Sequence, residues 1–282
     1  MRILVTGGAG FVGANLGVSL AARHPDWGIV ALDNLMRRGS ELNLARLREA
    51  GVEFVHGDVR EQDDLAAAGS FDAMVECSAE PSVLAGFADT SYSVQTNLVG
   101  AFNCLEQARR EDAFVVFLST SRVYPVAPQL ELALDEAETR YELAAEQPVP
   151  GAGPAGISED FPLPGARTLY GATKLSAELL IEEYADAFGL RAVVNRCGVI
   201  AGPWQMGKVD QGVFAFWVFH HHFGLPLSYI GYGGEGKQVR DLLHVDDLVE
   251  LLDDQLARPD HWAGRTFNVG GGRDVSLSLR EL

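Results

Sequence analysis

Three features of this chain predict an α/β fold built on a doubly wound parallel sheet. First, apolar runs of four to six residues alternate with helix-length amphipathic stretches through the first 120 residues. Strands hydrophobic almost throughout, set between helices, belong to a parallel sheet covered on both faces. Second, Gly7-Gly8-Ala9-Gly10-Phe11-Val12-Gly13 follows the apolar run Ile3-Leu4-Val5, and an acid, Asp33, stands 20 residues past Gly13. Strand, glycine turn, helix and an acid at the end of the next strand make a Rossmann-like dinucleotide site. Third, Tyr170-Gly-Ala-Thr-Lys174 sets a phenol and an ammonium four residues apart, on one helix face.

The elements follow in order. Strands are predicted at 3–6, 29–33, 53–56, 73–76 and 114–118, and helices at 11–23, 42–49, 62–68 and 94–109. A sixth unit adds a helix at 170–188 and a strand at 192–196. Between Tyr124 and Leu169 the pattern breaks into a stretch rich in Pro, Gly, Ala and acid. It reads either as a solvated insertion or, entering and leaving beside the Tyr-Lys motif, as a substrate-covering lid.

Past Arg196 an aromatic helix is expected at 213–223, strands at 227–230 and 239–244, a helix at 246–256 and a strand at 266–269. This divides the chain into a dinucleotide domain, 1–196, carrying the insertion 125–169, and a smaller, partly discontinuous α/β substrate lobe, 197–282. A last helix is expected to begin near Ser276, and the sequence stops inside it at Leu282, as a truncated or unusually short lobe would.

Composition narrows the function. A net charge of −17 disfavours nucleic acid and membrane surfaces as partners. No run approaches the ~18 apolar residues of a membrane span, and Met1-Arg2-Ile3 leads straight into the first strand without room for a signal peptide. The expectation is a cytoplasmic enzyme. Cys77, Cys104 and Cys197 are too few and scattered for disulfides or zinc. The triple His220-His221-His222 ends the aromatic helix, where a cation suits the dipole and adjacent side chains diverge; no metal is expected.

The glycines each have a task. Gly7 permits the tight turn, Gly10 lets the backbone approach a pyrophosphate, and Gly13 lets helix and strand pack closely, with the pyrophosphate over the helix N-terminus. Asp33 would accept hydrogen bonds from the ribose hydroxyls and repel a 2′-phosphate. Arg37 and Arg38, four and five residues on, are able to receive that phosphate; the local charge balance favours NAD. Asp58 and Val59, after the third strand, bound the adenine pocket, although Asp58 also reads as an ordinary turn carboxylate. Lys174 would lower the phenol of Tyr170 from ~10 towards the range of a general base, ~4 kcal/mol for a shift of ~3 units.

An ordered set of motifs now carries a resemblance: TGGAGFVG at 6–13, LDNL at 32–35, GDVR at 57–60, TNLVGAFNCLE at 96–106, STSRVYP at 119–125, YGATK at 170–174, QVRDLLHVDDL at 238–248 and FNVGGG at 267–272. Over essentially its whole length the chain resembles the extended short-chain dehydrogenase/reductases, the nucleotide-sugar epimerases and dehydratases. The resemblance implies Tyr170 as base, Lys174 as its support and the grip on the nicotinamide ribose, and Thr120 as hydrogen-bond donor to the reacting oxygen. It implies cofactor contacts from Gly7, Gly10, Phe11, Val12, Gly13, Asp33, Asn34, Asp58, Val59, Ser78, Tyr170, Lys174 and Cys197. Substrate contacts would come from Thr120, Gln211, Gln238 and Arg240, whose guanidinium fork suits a nucleotide pyrophosphate, unless Arg240 pairs with Asp241, Asp246 or Asp247. A homodimer through helices 94–109 and 170–188 is likewise implied.

Relatives that dehydrate their sugar carry Asp-Glu directly after this Thr; here Ser121-Arg122 stand there, which disfavours dehydration. A narrower likeness, in DNLMRRGSELNL at 33–44, FVHGDVR at 54–60, ETRY at 138–141, VDQGVFAFW at 209–217 and GKQVRDLLH at 236–244, is to the 2-epimerases of CDP-linked sugars. The chain departs from its relatives at Glu76, where they usually place His, and after Arg196, where Asn is missing three residues on. The implied activity is NAD-dependent epimerisation of a nucleotide sugar. A 4-epimerase or net oxidoreductase of the same family stays open, as does a catalytically silent NAD sensor, against which Thr120, Tyr170 and Lys174 argue.

Overall fold

The computed structural model describes residues 1–207 and 211–282; Lys208, Val209 and Asp210, the last two opening the 209–217 segment, lie outside the described residues. The order is β1 (Arg2–Thr6), α1 (Phe11–Arg23), β2 (Gly28–Asp33), α2 (Asn43–Glu49), β3 (Glu53–His56), α3 (Gln62–Ala67), β4 (Ala73–Glu76), α4 (Val83–Ala88), α5 (Thr90–Val94), α6 (Gly100–Glu111) and β5 (Phe114–Thr120). The insertion holds α7 (Val126–Leu130) and two hairpins, β6 (Leu134–Glu136) with β7 (Tyr141–Leu143) and β8 (Ala152–Gly153) with β9 (Gly156–Ile157). Then come α8 (Leu169–Phe188), β10 (Ala192–Cys197), β11 (Val199–Ala201), α9 (Val213–Phe223), β12 (Val239–Arg240), β13 (Leu242–His244), α10 (Val245–Ala257), α11 (Pro259–Trp262), β14 (Arg265–Val269) and β15 (Leu277–Ser278).

Among the described residues seven strands form one sheet in the order β14-β10-β5-β4-β1-β2-β3, every neighbouring pair parallel. Parallel strands need crossovers, and the helices supply them on both faces. Leu16 and Leu20 of α1, Leu47 of α2 and Leu252 of α10 bury against one face; Leu65 of α3, Leu105 of α6 and Ile181 of α8 bury against the other. The strand order reverses between β1 and β4, and ligands bind such sheets in the crevice at the strands' carboxyl ends there.

Several expectations are corrected. The helix expected at 94–109 is α5 and α6 joined by a π-helical turn at Gln95–Val99. A Cβ on Gly100 would come within 2.6 Å of Val59, so the glycine permits this close seating on the loop after β3. The strand expected at 239–244 breaks at Asp241 into β12 and β13, no strand forms at 227–230, and a 3-10 turn and β15 stand where a last helix was expected. Of the elements after Cys197, α10 packs on the main sheet and β14 extends it.

Candidate active site

The glycine turn explains itself in the structure. Gly7 has φ +61°, and a Cβ there would meet the Cys77 backbone at 3.0 Å. On Gly13 a Cβ would lie 2.4 Å from the Gly7 carbonyl oxygen, so only glycine lets α1 sit this close to the turn. The turn opens one side of a cleft of about 720 Å³ along the strands' carboxyl ends. Asp33 ends β2 in its wall; Oδ2 accepts the Ala9 N–H at 3.0 Å and Oδ1 the Leu35 N–H at 2.7 Å. Burial raises its carboxyl above the ordinary value, against the pull of these backbone donors.

Thr120, at the end of β5, faces Tyr170 and Lys174 on the first turns of α8. The Thr168 hydroxyl caps that helix from the Gly171 N–H at 3.2 Å. Gly171 brings it close: a Cβ at this position would stand 2.0 Å from the Arg122 carbonyl oxygen. The Thr120 hydroxyl accepts the Arg122 N–H at 3.2 Å, which caps the 3-10 turn Ser121–Val123, and Thr120 lines the same cleft as Tyr170. Lys174 is buried, with Nζ 3.1 Å from Glu76 Oε2 and 4.3 Å over the Phe117 ring.

The electrostatic expectation is corrected here. Burial pushes the Tyr170 phenol above its ordinary value and outweighs the opposing Lys174 ammonium and Thr120 hydroxyl. Burial acts to lower Lys174, but the Glu76 carboxylate, by its charge and its hydrogen bond, holds the ammonium above its usual range, with Tyr170 adding to it.

Beneath the site, Arg196 at the end of β10 donates to Glu178 of α8 (Nη2 to Oε2, 2.7 Å) and, through Nη1, to the Tyr124 hydroxyl at 3.2 Å. Tyr124 donates in turn to Asn268 Oδ1 of β14 at 2.7 Å, and Ser119 donates to Glu178. This network ties β5, α8, β10 and β14 together under the Thr-Tyr-Lys group.

Most residues expected at the site line one cleft: Gly7, Gly10, Phe11, Val12, Gly13, Asp33, Asn34, Val59, Ser78, Thr120, Tyr170, Lys174, Cys197 and Gln211. Burial pushes the Cys197 thiol up to about 12, so it lines the wall as a thiol rather than a nucleophile. Asp58 does not line the cleft; Arg60 holds it in a bidentate pair, and with Asn34 as second donor its carboxyl falls to about 2. Gln211 comes to the Asp33 end, where it accepts from Arg37. Gln238 and Arg240 stand outside the cleft wall, Gln238 buried and Arg240 donating to the Val239 carbonyl at 2.9 Å on β12, which pairs with β15.

The insertion does not roof the cleft. Its β6–β7 hairpin docks on the C-terminal segment, where the Tyr141 N–H donates to the Lys237 carbonyl at 3.1 Å and Arg140 to Ser276. The loop after β11 covers the α1 side instead: Asn15 donates to the Pro203 carbonyl at 3.0 Å, and Arg46 lies 4.2 Å over the Trp204 ring. Nothing in the sequence flagged Trp204, whose partners are more than 150 residues away in the chain. Among the described residues no group of three or more His, Cys, Asp or Glu side chains is arranged to hold a metal, and no helix is long and apolar enough to cross a membrane.

Side-chain-free approach at Gly7 and Gly10, a helix N-terminus beyond them and an acid at the end of β2 fit a dinucleotide. Comparison with known proteins agrees. The sequence matches the NAD dependent epimerase/dehydratase family over residues 3–270. It is 31% identical to a CDP-paratose 2-epimerase of Salmonella typhi, across all of this chain and 82% of the relative. It is 30% identical to a dTDP-glucose 4,6-dehydratase of Mycobacterium tuberculosis, across all of this chain and 76% of the relative. Among solved structures, the UDP-glucose 4-epimerase of Thermus thermophilus in complex with NAD superposes with a TM-score of 0.75 at 28% identity, covering all of this chain and 80% of that one. The dehydratase DesIV of Streptomyces venezuelae, with NAD bound, gives 0.76 at 29%, covering all of this chain and 78% of that one. The chain therefore belongs to the NAD-dependent epimerase/dehydratase family, as an enzyme whose cofactor is NAD.

Proposed function

We propose that this enzyme epimerises a nucleotide sugar at a secondary carbinol, with a CDP-linked sugar as substrate and C2 as the inverted carbon. One observation carries the choice of epimerisation over dehydration. The two residues after Thr120 are Ser121 and Arg122, both lining the cleft, where a dehydratase needs a carboxyl acid to protonate its leaving hydroxyl. The likeness to the CDP-paratose 2-epimerase supports the nucleotide and the carbon.

The cleft beside Gly7, Gly10 and Asp33 would hold NAD, which would supply a reversible hydride acceptor for the carbinol carbon. Tyr170 takes the hydroxyl proton and gives it back; Thr120 orients the reacting oxygen; Lys174 holds the phenol and the cofactor ribose. Asp33 receives the adenosine ribose; Gln238 and Arg240, outside the cleft wall, and Gln211, which accepts from Arg37, are assigned to the substrate nucleotide by the family resemblance alone. The carbonyl formed in between has to turn over within the cleft before the hydride returns to its other face. The active form is a homodimer joined through the α6 and α8 faces.

A panel of CDP-, UDP-, GDP- and dTDP-sugars tests this reading. The CDP-sugar should interconvert with its 2-epimer without net NADH formation, and Tyr170→Phe should abolish turnover while leaving NAD bound. In deuterated water the inverted carbon should stay unlabelled, because its hydrogen leaves and returns as hydride. Deuterium at that carbon, or a dehydrated keto-sugar product, refutes the assignment.

A further inference from the structure

The parallel strands deliver an acid to a place where the Tyr-Lys chemistry does not require one. Glu76 ends β4 beside Thr6 of β1, at the reversal of strand order. Its Oε2 accepts from Lys174 Nζ at 3.1 Å, with both side chains 2% exposed. Its Oε1 is buried without a hydrogen-bond partner. Two charges withdrawn from water impose a large desolvation penalty, and hydrophobic residues of similar volume often serve stability as well. The pair is therefore weakly explained as a stabilising device.

Its position explains it better. An ammonium has three protons to donate and a flexible four-carbon stem. Glu76 takes one proton and fixes the stem, leaving two for the cleft side, where Tyr170 stands one helical turn away. The other titratable groups acting on the pair are thiols: Cys77 after β4, Cys104 of α6 and Cys197 of β10, each pushed upward by burial and so uncharged. Phe117 of β5 closes the floor beneath. Burial is the main influence raising the Tyr170 phenol; of the charges, the Lys174 ammonium favours its ionisation and the Glu76 carboxylate adds a smaller opposing push.

We propose that Glu76 is a positioning residue that fixes the Lys174 ammonium on the cleft floor and, by offsetting its charge, sets how readily Tyr170 gives up its proton. The proposal rests on Tyr170 being the base. A carboxylate there adds to burial in keeping the phenol protonated, and it holds Lys174 in place for the cofactor ribose.

Glu76→Gln tests it, since the amide oxygen still accepts from Lys174 while the charge is gone. Tyrosinate absorbance, titrated against Tyr170→Phe to isolate this one phenol, should show ionisation at lower pH in Glu76→Gln than in the parent. NAD affinity by calorimetry should stay close to the parent value in Glu76→Gln. In Glu76→Ala, where the ammonium loses its anchor, it should fall by about 10-fold, equivalent to ~1.4 kcal/mol. An unmoved Tyr170 titration in folded Glu76→Gln overturns the proposal. So does failure of Glu76→Gln to fold, which would make the pair a structural element. Neither readout uses turnover: a chain that epimerises no nucleotide sugar refutes the proposed function and leaves this result standing.

Discussion

Replacing Gly171 by alanine would separate the reacting groups without altering any of them. The added Cβ would stand 2.0 Å from the Arg122 carbonyl oxygen, whereas ordinary contact begins near 3.4 Å. That oxygen is backbone, in the turn capped by Thr120, so it cannot swing away as a side-chain end would. Either α8 or the 121–123 turn has to yield by about 1.4 Å, the gap between those two distances. The Thr120–Tyr170 pair straddles this contact, and a 1 Å misplacement of reacting groups costs ~10²-fold in rate. We expect kcat to fall by at least about 10²-fold. Overpacking of this kind costs ~1–3 kcal/mol, at roughly 2–4 °C of Tm per kcal/mol. Helix propensity alone predicts the opposite sign, alanine being ~1 kcal/mol better than glycine inside a helix. Turnover of the nucleotide sugar, NAD calorimetry and a thermal melt on one preparation would decide. Full activity with an unchanged or higher Tm would refute the close approach and, with it, the argument for why this motif carries a glycine.

Two further expectations follow from the cleft and the surface. Asp33→Ala should narrow the preference for NAD over NADP, because Arg37 is engaged by Gln211 and the acid is left to discriminate the ribose; tighter NADP than NAD binding by the parent, measured by calorimetry, would contradict this placement. Leu179 and Phe188 of α8 are 56% and 59% exposed, which suits a face shared with a second copy, and light scattering at micromolar concentration should give twice the chain mass; a monomer would remove the dimer.

The dinucleotide half of the site was legible because its determinants are local. Gly7, Gly10 and Gly13 act within one turn and one helix end, and Asp33 is fixed by the next strand of the same βαβ unit. The Tyr170–Lys174 spacing is a property of one helix. Even Gly171, inside the motif, was visible as a residue, although its reason, the Arg122 carbonyl 49 positions earlier, was not.

Hydrophobic runs and helical periodicity, both set by backbone geometry over a few residues, gave the sequence its alternation of elements, its parallel sheet and its cofactor turn. Tertiary structure alone decided which distant groups share a charge. Glu76 and Lys174 are 98 residues apart and meet only because β4 and α8 converge on the crevice. Burial of the Tyr170 phenol, which outweighs the Lys174 ammonium and leaves Glu76 a small further push, reversed the direction expected for it. That β14 pairs with the main sheet was likewise decided by tertiary contact. A parallel edge strand pairs with the neighbour its crossover helix reaches, and α10 buries its apolar face against that sheet.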